Sequence, residues 1–209
     1  MKNTAYVAVG AALLLSGCAG PSVQEQASQL VLLTPEHFRD TATLKDDPLD
    51  TTAIITTEPG WKETKGLLKV VWNDEFLRVF VDKRTGAATF QVYTYVAYFA
   101  PGWHFYQTAN YATPSGPTEV PVDVIDRHVI DCDAQAGGCD YSESVGFDVT
   151  EPFLKAIAAT YSPGAGNPWL FKLNAKSGDE YKDGLMPAEI AGCLMAVDAY
   201  RASHKLPVK

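Results

Sequence analysis

The 209-residue chain has little of what marks the common functional classes. It contains no block of lysine or arginine, and 25 acidic residues outnumber 17 basic ones for a net charge of −8. A nucleic-acid backbone or an anionic lipid surface therefore meets no basic footprint, and neither is expected as an electrostatic partner. Four histidines and four cysteines are all that the chain offers to soft metals, and no CxxC pair is among them. GxSxG, HExxH, a Walker loop and a dinucleotide fingerprint are also missing. Neither a cofactor nor a metal centre is expected. Long apolar runs are absent too. The longest, Ala5 to Leu15, has eleven residues, whereas a spanning helix needs about twenty.

That short run is informative for another reason. Lys2 precedes it and small residues follow it, the layout of a secretory signal. The segment ends in Leu15-Ser16-Gly17-Cys18, which resembles the lipobox of bacterial lipoproteins. The resemblance implies that a diacylglycerol is attached to the Cys18 sulfur and that the signal is cut away before it. It also implies that the new amine is acylated. Each buried methylene adds about 0.8 kcal/mol, so two or three chains hold far more firmly than one. Ala19 stands where an aspartate would imply retention at the inner membrane. The resemblance thus points to the outer membrane, with the domain facing the periplasm and membrane lipid as a partner through acylated Cys18. Residues 1–17 form the signal, 18–33 a polar tether, and 34–209 a single domain. The body is similar to uncharacterised exported proteins of Gram-negative bacteria, a likeness that carries no activity and no site residues.

Three cysteines remain beyond the anchor: Cys132, Cys139 and Cys193. In an oxidising compartment a disulfide is expected where geometry allows. Asp133 to Gly138 form a glycine-bearing turn between strand-like runs, so a Cys132–Cys139 bridge across a hairpin is predicted. Such a short loop contributes about 2.5 kcal/mol on the chain-entropy model. Cys193 lies among apolar residues and is expected to be a small buried hydrophobe.

With 46% apolar residues the chain can bury a core. Thr34-Pro35-Glu36 starts a helical turn, with threonine as cap and proline in the first position. Strands are expected over 51–58, 66–72, 76–82, 89–99 and 103–111, with Asn73-Asp74-Glu75 as a hairpin loop and 83–86 as a turn. Aromatic and apolar residues on both sides of 89–99 predict a strand covered on both faces. Helices are expected over 151–159, capped by Thr150, and over 187–202. In the latter Ile190, Cys193, Leu194 and Val197 keep helical spacing. The alternation of Trp169, Phe171 and Leu173 predicts a strand between them. Residues 163–166 and 177–184 read as loops. The fold class is α+β: a mostly antiparallel meander with two helices packed on it late in the chain.

The predicted disulfide gives the hairpin a register. With Cys132 opposite Cys139, Ile130 faces Tyr141, His128 faces Glu143, Asp126 faces Val145, Val124 faces Phe147 and Val122 faces Val149. All share one face with the cysteines, while Asp140, Ser142, Ser144, Gly146 and Asp148 face water. His128, Glu143 and Asp126 thus stand on an otherwise apolar face. There they form either a structural ion pair or a site in which His128 carries protons, oriented by Glu143. A second candidate is aromatic: Trp103, Phe105 and Tyr111 either fill a core or stack on sugars or a partner. Three functions stay open. The first is a membrane-anchored, non-enzymatic envelope lipoprotein that binds an envelope protein partner or assists an assembly. The second is a hydrolase using His128 with Glu143 or Asp126. The third is a module for glycan or a small apolar ligand.

Overall fold

Segments rich in valine, isoleucine, threonine and aromatics become strands wherever a neighbour completes their ladder. The computed structural model describes residues 31–61, 64–65, 70–71, 73–133 and 135–207. The signal, the Cys18 anchor and most of the tether lie outside these residues, as does most of the segment 66–72. Val31 and Leu32 are helical, helix α1 (Pro35–Thr41) follows them, and the Thr34 hydroxyl accepts the His37 amide at 3.2 Å. Strands β1 (Thr43–Lys45) and β2 (Thr52–Thr56) follow, then a 3-10 turn at Glu58–Gly60. A two-stranded ribbon joins β3 (Thr64–Lys65) to β4 (Val70–Val71). Long strands β5 (Asn73–Asp82) and β6 (Ala88–Ala100) come next. Then come β7 (Tyr106–Thr113), β8 (Gly116–Pro121), β9 (Asp123–Asp133) and β10 (Gly138–Val149). Helix α2 (Glu151–Ala158), strands β11 (Trp169–Ala175) and β12 (Glu180–Leu185), and helix α3 (Pro187–Ser203) complete the chain.

The fold is α+β with mostly antiparallel sheets, and two of its helices come late in the chain. Two main sheets share the strands: one of six, ordered β1-β2-β5-β6-β10-β9, and one of four, ordered β12-β11-β7-β8. The chain leaves the larger sheet after β6, builds half of the smaller one, and returns through β9 and β10. The core lies on one face of the larger sheet. Leu77, Val79, Phe90, Val92, Val145 and Phe147 are buried there. Ile190, Cys193 and Val197 of α3 cover one part of that face, and Phe171 and Leu173 of β11 cover another. Cys193 is fully buried, which pushes its thiol pKa up. Helix α1 lies close on α3 because residue 192 is glycine: a Cβ there would sit 2.5 Å from the Pro35 carbonyl oxygen.

Several expectations need correction. Asn73-Asp74-Glu75 is not a loop but the first part of β5, paired with Val96, Tyr95 and Thr94 of β6. Residues 180–185 form β12 rather than an exposed turn. The strand expected over 103–111 starts only at Tyr106, which leaves Trp103, His104 and Phe105 in the connection before it. Thr150 precedes α2 but its hydroxyl makes no capping bond. Only one face of β6 is fully covered: Tyr93 and Tyr95 are half-buried, and Phe99 is exposed. Ser142 and Ser144, expected to face water, are buried.

One buried ion pair ties the late helices to the sheet. Arg201, 3% exposed, donates its Nε to the Gly86 carbonyl at 2.8 Å. Its terminal nitrogens bond both oxygens of Glu151 at 3.1 and 3.0 Å. Gly86 has φ +70°, which lets the turn after β5 present that carbonyl. The Arg201 hydrogen bond is the main reason the Glu151 carboxyl stays below the usual glutamate range. Arg201→Ala leaves Glu151 with Lys155 and part of its surface in water, so unfolding stability should fall by about 1–3 kcal/mol in urea melts. Replacing both by leucine should recover much of that loss. An Arg201→Ala variant as stable as the parent would show that the pair holds nothing together.

Candidate functional site

The hairpin of β9 and β10 carries the expected disulfide: Cys132 lies opposite Cys139 and bonds to it. The register, however, holds for only one pair past the bridge, Asp140 opposite Asp131. A bulge between Asp140 and Tyr141 shifts the pairing by one residue, and a second follows Ser144. Tyr141 therefore faces Val129, Glu143 faces Arg127, and His128 faces Ser142. Asp126 faces Ser144, and Val145 faces Val124. A one-residue slip moves every side chain to the other face. His128 and Asp126 accordingly leave the core face. They meet each other at 2.7 Å with side chains 69% and 52% exposed, a solvated pair.

Glu143 stays on the inner face and has no exposed surface. Its carboxylate is met by three donors. The Tyr98 hydroxyl donates to Oε1 at 2.5 Å, the Phe105 amide donates to the same oxygen at 2.9 Å, and Arg127 Nε donates to Oε2 at 2.8 Å. Burial raises the Tyr98 phenol's pKa, and the bond to Glu143 adds to the rise, so the phenol keeps its proton for donation. The His104 amide donates to the same phenol oxygen at 2.9 Å, and the His104 ring stacks on the Tyr98 ring at 3.7 Å.

This network fixes the connection between β6 and β7. Pro101 and Gly102 break β6, and the chain doubles back so that Phe105 can reach Glu143. Two backbone bonds from the turn after β11 clamp it from the other side: Lys176 N–H to the Phe105 carbonyl at 2.9 Å, and Ser177 N–H to that of His104 at 3.1 Å. Phe105 is held at φ +58°, a left-handed conformation uncommon for a large side chain. Its ring is 39% exposed, with the Arg127 guanidinium 4.8 Å from its centroid. Trp103 packs on Tyr141 at 4.5 Å and on Phe105 at 6.2 Å. Beside them opens a cleft of about 400 Å³ between Phe105, Gln107, Val122, Val124, Arg127 and Lys176. Strain kept at an exposed aromatic beside a cleft is a mark of functional sites.

The structure thus brings Glu143, Trp103 and Phe105 together and separates them from His128, Asp126 and Tyr111. Tyr111 packs in the core against Phe147 and Trp169, at 5.9 and 5.3 Å. Arg127, Tyr98 and Lys176 are the site residues that the sequence pattern did not single out. Trying the hairpin one residue out of register would have found Arg127, because that shift pairs it with Glu143 and sends two polar residues to water.

A second polar cluster lies where β5, β12 and α3 meet, around a cavity of about 250 Å³ that Asp74, Glu75, Asp183, Glu189 and Trp61 help to line. The Tyr181 hydroxyl donates to Asp183 at 2.7 Å and also bonds Glu75. The Thr57 hydroxyl donates to Glu189 at 2.5 Å. Burial, with the Asp183 charge second, pushes the Glu75 carboxyl up to about 8; burial also pushes Glu189 up to about 8. Among the described residues, no group of three or more His, Cys, Asp or Glu side chains could hold a metal ion.

No known family model matches the chain. No curated protein and no solved structure matches it either.

The two raised carboxyls have a consequence for stability. Each binds a proton more tightly folded (about 8) than unfolded (4.5). Their contribution is therefore whole below the unfolded value and is lost as pH rises toward 8. Glu189→Gln and Glu75→Gln should each stabilise the protein at pH 8 by about 1–2 kcal/mol, with little gain at pH 5. Urea melts of parent and variants across that range should give a difference that grows with pH. A difference independent of pH would mean that both carboxyls are already ionised in the fold.

Proposed function

We propose that this chain is an outer-membrane lipoprotein, anchored through acylated Cys18, whose periplasmic domain is a non-enzymatic binding module. The Phe105 cleft is its binding site. One observation carries the choice of site: an exposed aromatic held in a strained backbone beside an open cleft, with a buried network dedicated to keeping it there. Glu143 already accepts from three donors, so it serves to position Arg127 and Phe105 rather than to shuttle protons.

The anchor rests on the lipobox-like segment. Among the described residues no helix is long and apolar enough to cross a membrane. A lipid tether is compatible with that, since it asks nothing of the folded domain. The hydrolase alternative draws less support. His128 lies away from Glu143, and its pairing with Asp126 is exposed to solvent. An aromatic platform for a ring or a chain keeps Trp103 and Phe105 and releases Tyr111.

Native mass spectrometry of protein purified from cell envelopes tests both halves together. The mature chain should begin at Cys18 with fatty-acyl mass on it, and it should carry a bound species that Phe105→Asp removes and His128→Ala retains. A mature chain still starting at Met1 would refute the anchor. Loss of the bound species with His128→Ala, and not with Phe105→Asp, would move the site to the outer face of the hairpin.

A further inference from the structure

We infer that the ligand of the Phe105 cleft is a monomeric anionic amphiphile, a carboxylate or phosphate head carrying a short apolar chain or ring. The inference rests on the reading of that cleft as a binding site and names its ligand chemistry. The walls divide by character. Phe105, Val122 and Val124 form the apolar side, and two cationic residues, Arg127 and Lys176, line the same cleft. Both cations have capacity left. Arg127 uses its Nε on Glu143, and no acceptor among the described residues meets its terminal nitrogens. Lys176 forms no ion pair with any described residue; its recorded bond is from its backbone amide to Phe105.

Two cations with spare donors beside apolar residues stand out in a chain whose formal charge is −8. Guanidinium and carboxylate or phosphate form charge-assisted, often paired hydrogen bonds, and a held Arg127 loses little freedom in making them. The Glu143 bond fixes the guanidinium plane over the Phe105 ring, so its outer edge is presented before any ligand arrives. Val122 and Val124 add apolar wall, and Val124 is half exposed, so covering it contributes to binding. The size of the cleft, about 400 Å³, falls in the range of roughly 300–1,000 Å³ usual for small-molecule sites. A neutral apolar ligand would leave both cations unanswered, and a bare anion would leave the apolar wall wet. The overall negative charge of the chain disfavours an anionic bilayer surface as the source of the head group.

The test uses the acylated mature protein in nanodiscs of zwitterionic lipid, with calorimetric titration corrected for empty discs. Octanoate and octyl phosphate should bind at least about tenfold more tightly than octanol, acetate or inorganic phosphate. Lys176→Gln should weaken octanoate severalfold and leave octanol unchanged. This residue is exposed and holds no side-chain partner among the described residues, so the variant should fold. Phe105→Ala should weaken octanoate and octanol alike. Octanol binding as tightly as octanoate, with Lys176→Gln silent, would overturn the anionic assignment while leaving the cleft a binding site. Acetate matching octanoate would overturn the amphiphile. Discs containing phosphatidylglycerol that abolish octanoate binding would place the head group in the bilayer and overturn the monomeric ligand. If no probe binds while envelope-purified protein still carries a species lost with Phe105→Asp, the ligand class is wrong and the site stands. If that species is missing too, both fail.

Discussion

A carboxylate without exposed surface persists only where donors replace the water it has lost, and Glu143 is supplied by a phenol, an amide and a guanidinium. Each donor comes from a different part of the chain. Tyr98 belongs to the central strand β6, Phe105 to the connection that follows it, and Arg127 to the edge strand β9. Satisfying one buried charge therefore sets three things at once: where β6 ends, how the chain turns back, and which face of β9 looks inward. The cleft is what that geometry leaves open. Its aromatic floor and one of its cations are both ligands of the same carboxylate.

The two sheets give this arrangement its frame. Because β8 runs almost directly into β9, the edge of the small sheet continues into the edge of the large one, and the cleft forms near that crossing. The two bulges on the hairpin bend β9 there, and strands at sheet edges use such irregularities to re-aim side chains. At another junction of the same sheets the chain collects carboxyl groups and keeps two of them protonated by burial. One junction thus holds a carboxylate met by three donors. The other holds neutral carboxyls whose proton is the cheapest partner available.

Much of the architecture was legible from spacing. Helical periodicity located α3, alternation located β11, and two cysteines across a glycine-bearing turn located the disulfide. What failed did so for physical reasons. Asn73, Asp74 and Glu75 look like loop residues, yet β6 is long enough to pair all three, and desolvation takes the charge off Glu75. Tyr181 and Asp183 look like an acidic turn until β11 supplies a ladder partner. The bulges left no mark in composition. Ile125 and Ile130 are β-branched like Val124 and Val129 before them, so nothing singles them out as the extra residues. That loss cost the histidine–glutamate pair and concealed Arg127. The aromatic segment was recognised by residue type, but its backbone was not: nothing in Trp103-His104-Phe105 announces a left-handed phenylalanine. Distant partners, Glu143 on one side and the turn after β11 on the other, hold it there.

The dependence of the cleft on that carboxylate can be read at a single backbone atom. Hydrogen exchange at the Phe105 amide, compared between the parent and Glu143→Ala, isolates the bond from Glu143 to the strained connection. A charge-assisted hydrogen bond contributes about 1.5–3 kcal/mol, so the amide should be protected in the parent and exchange roughly ten- to hundredfold faster in the variant. A Phe105 amide that exchanges as a free loop amide in the parent, or at the same rate in both proteins, would contradict the account.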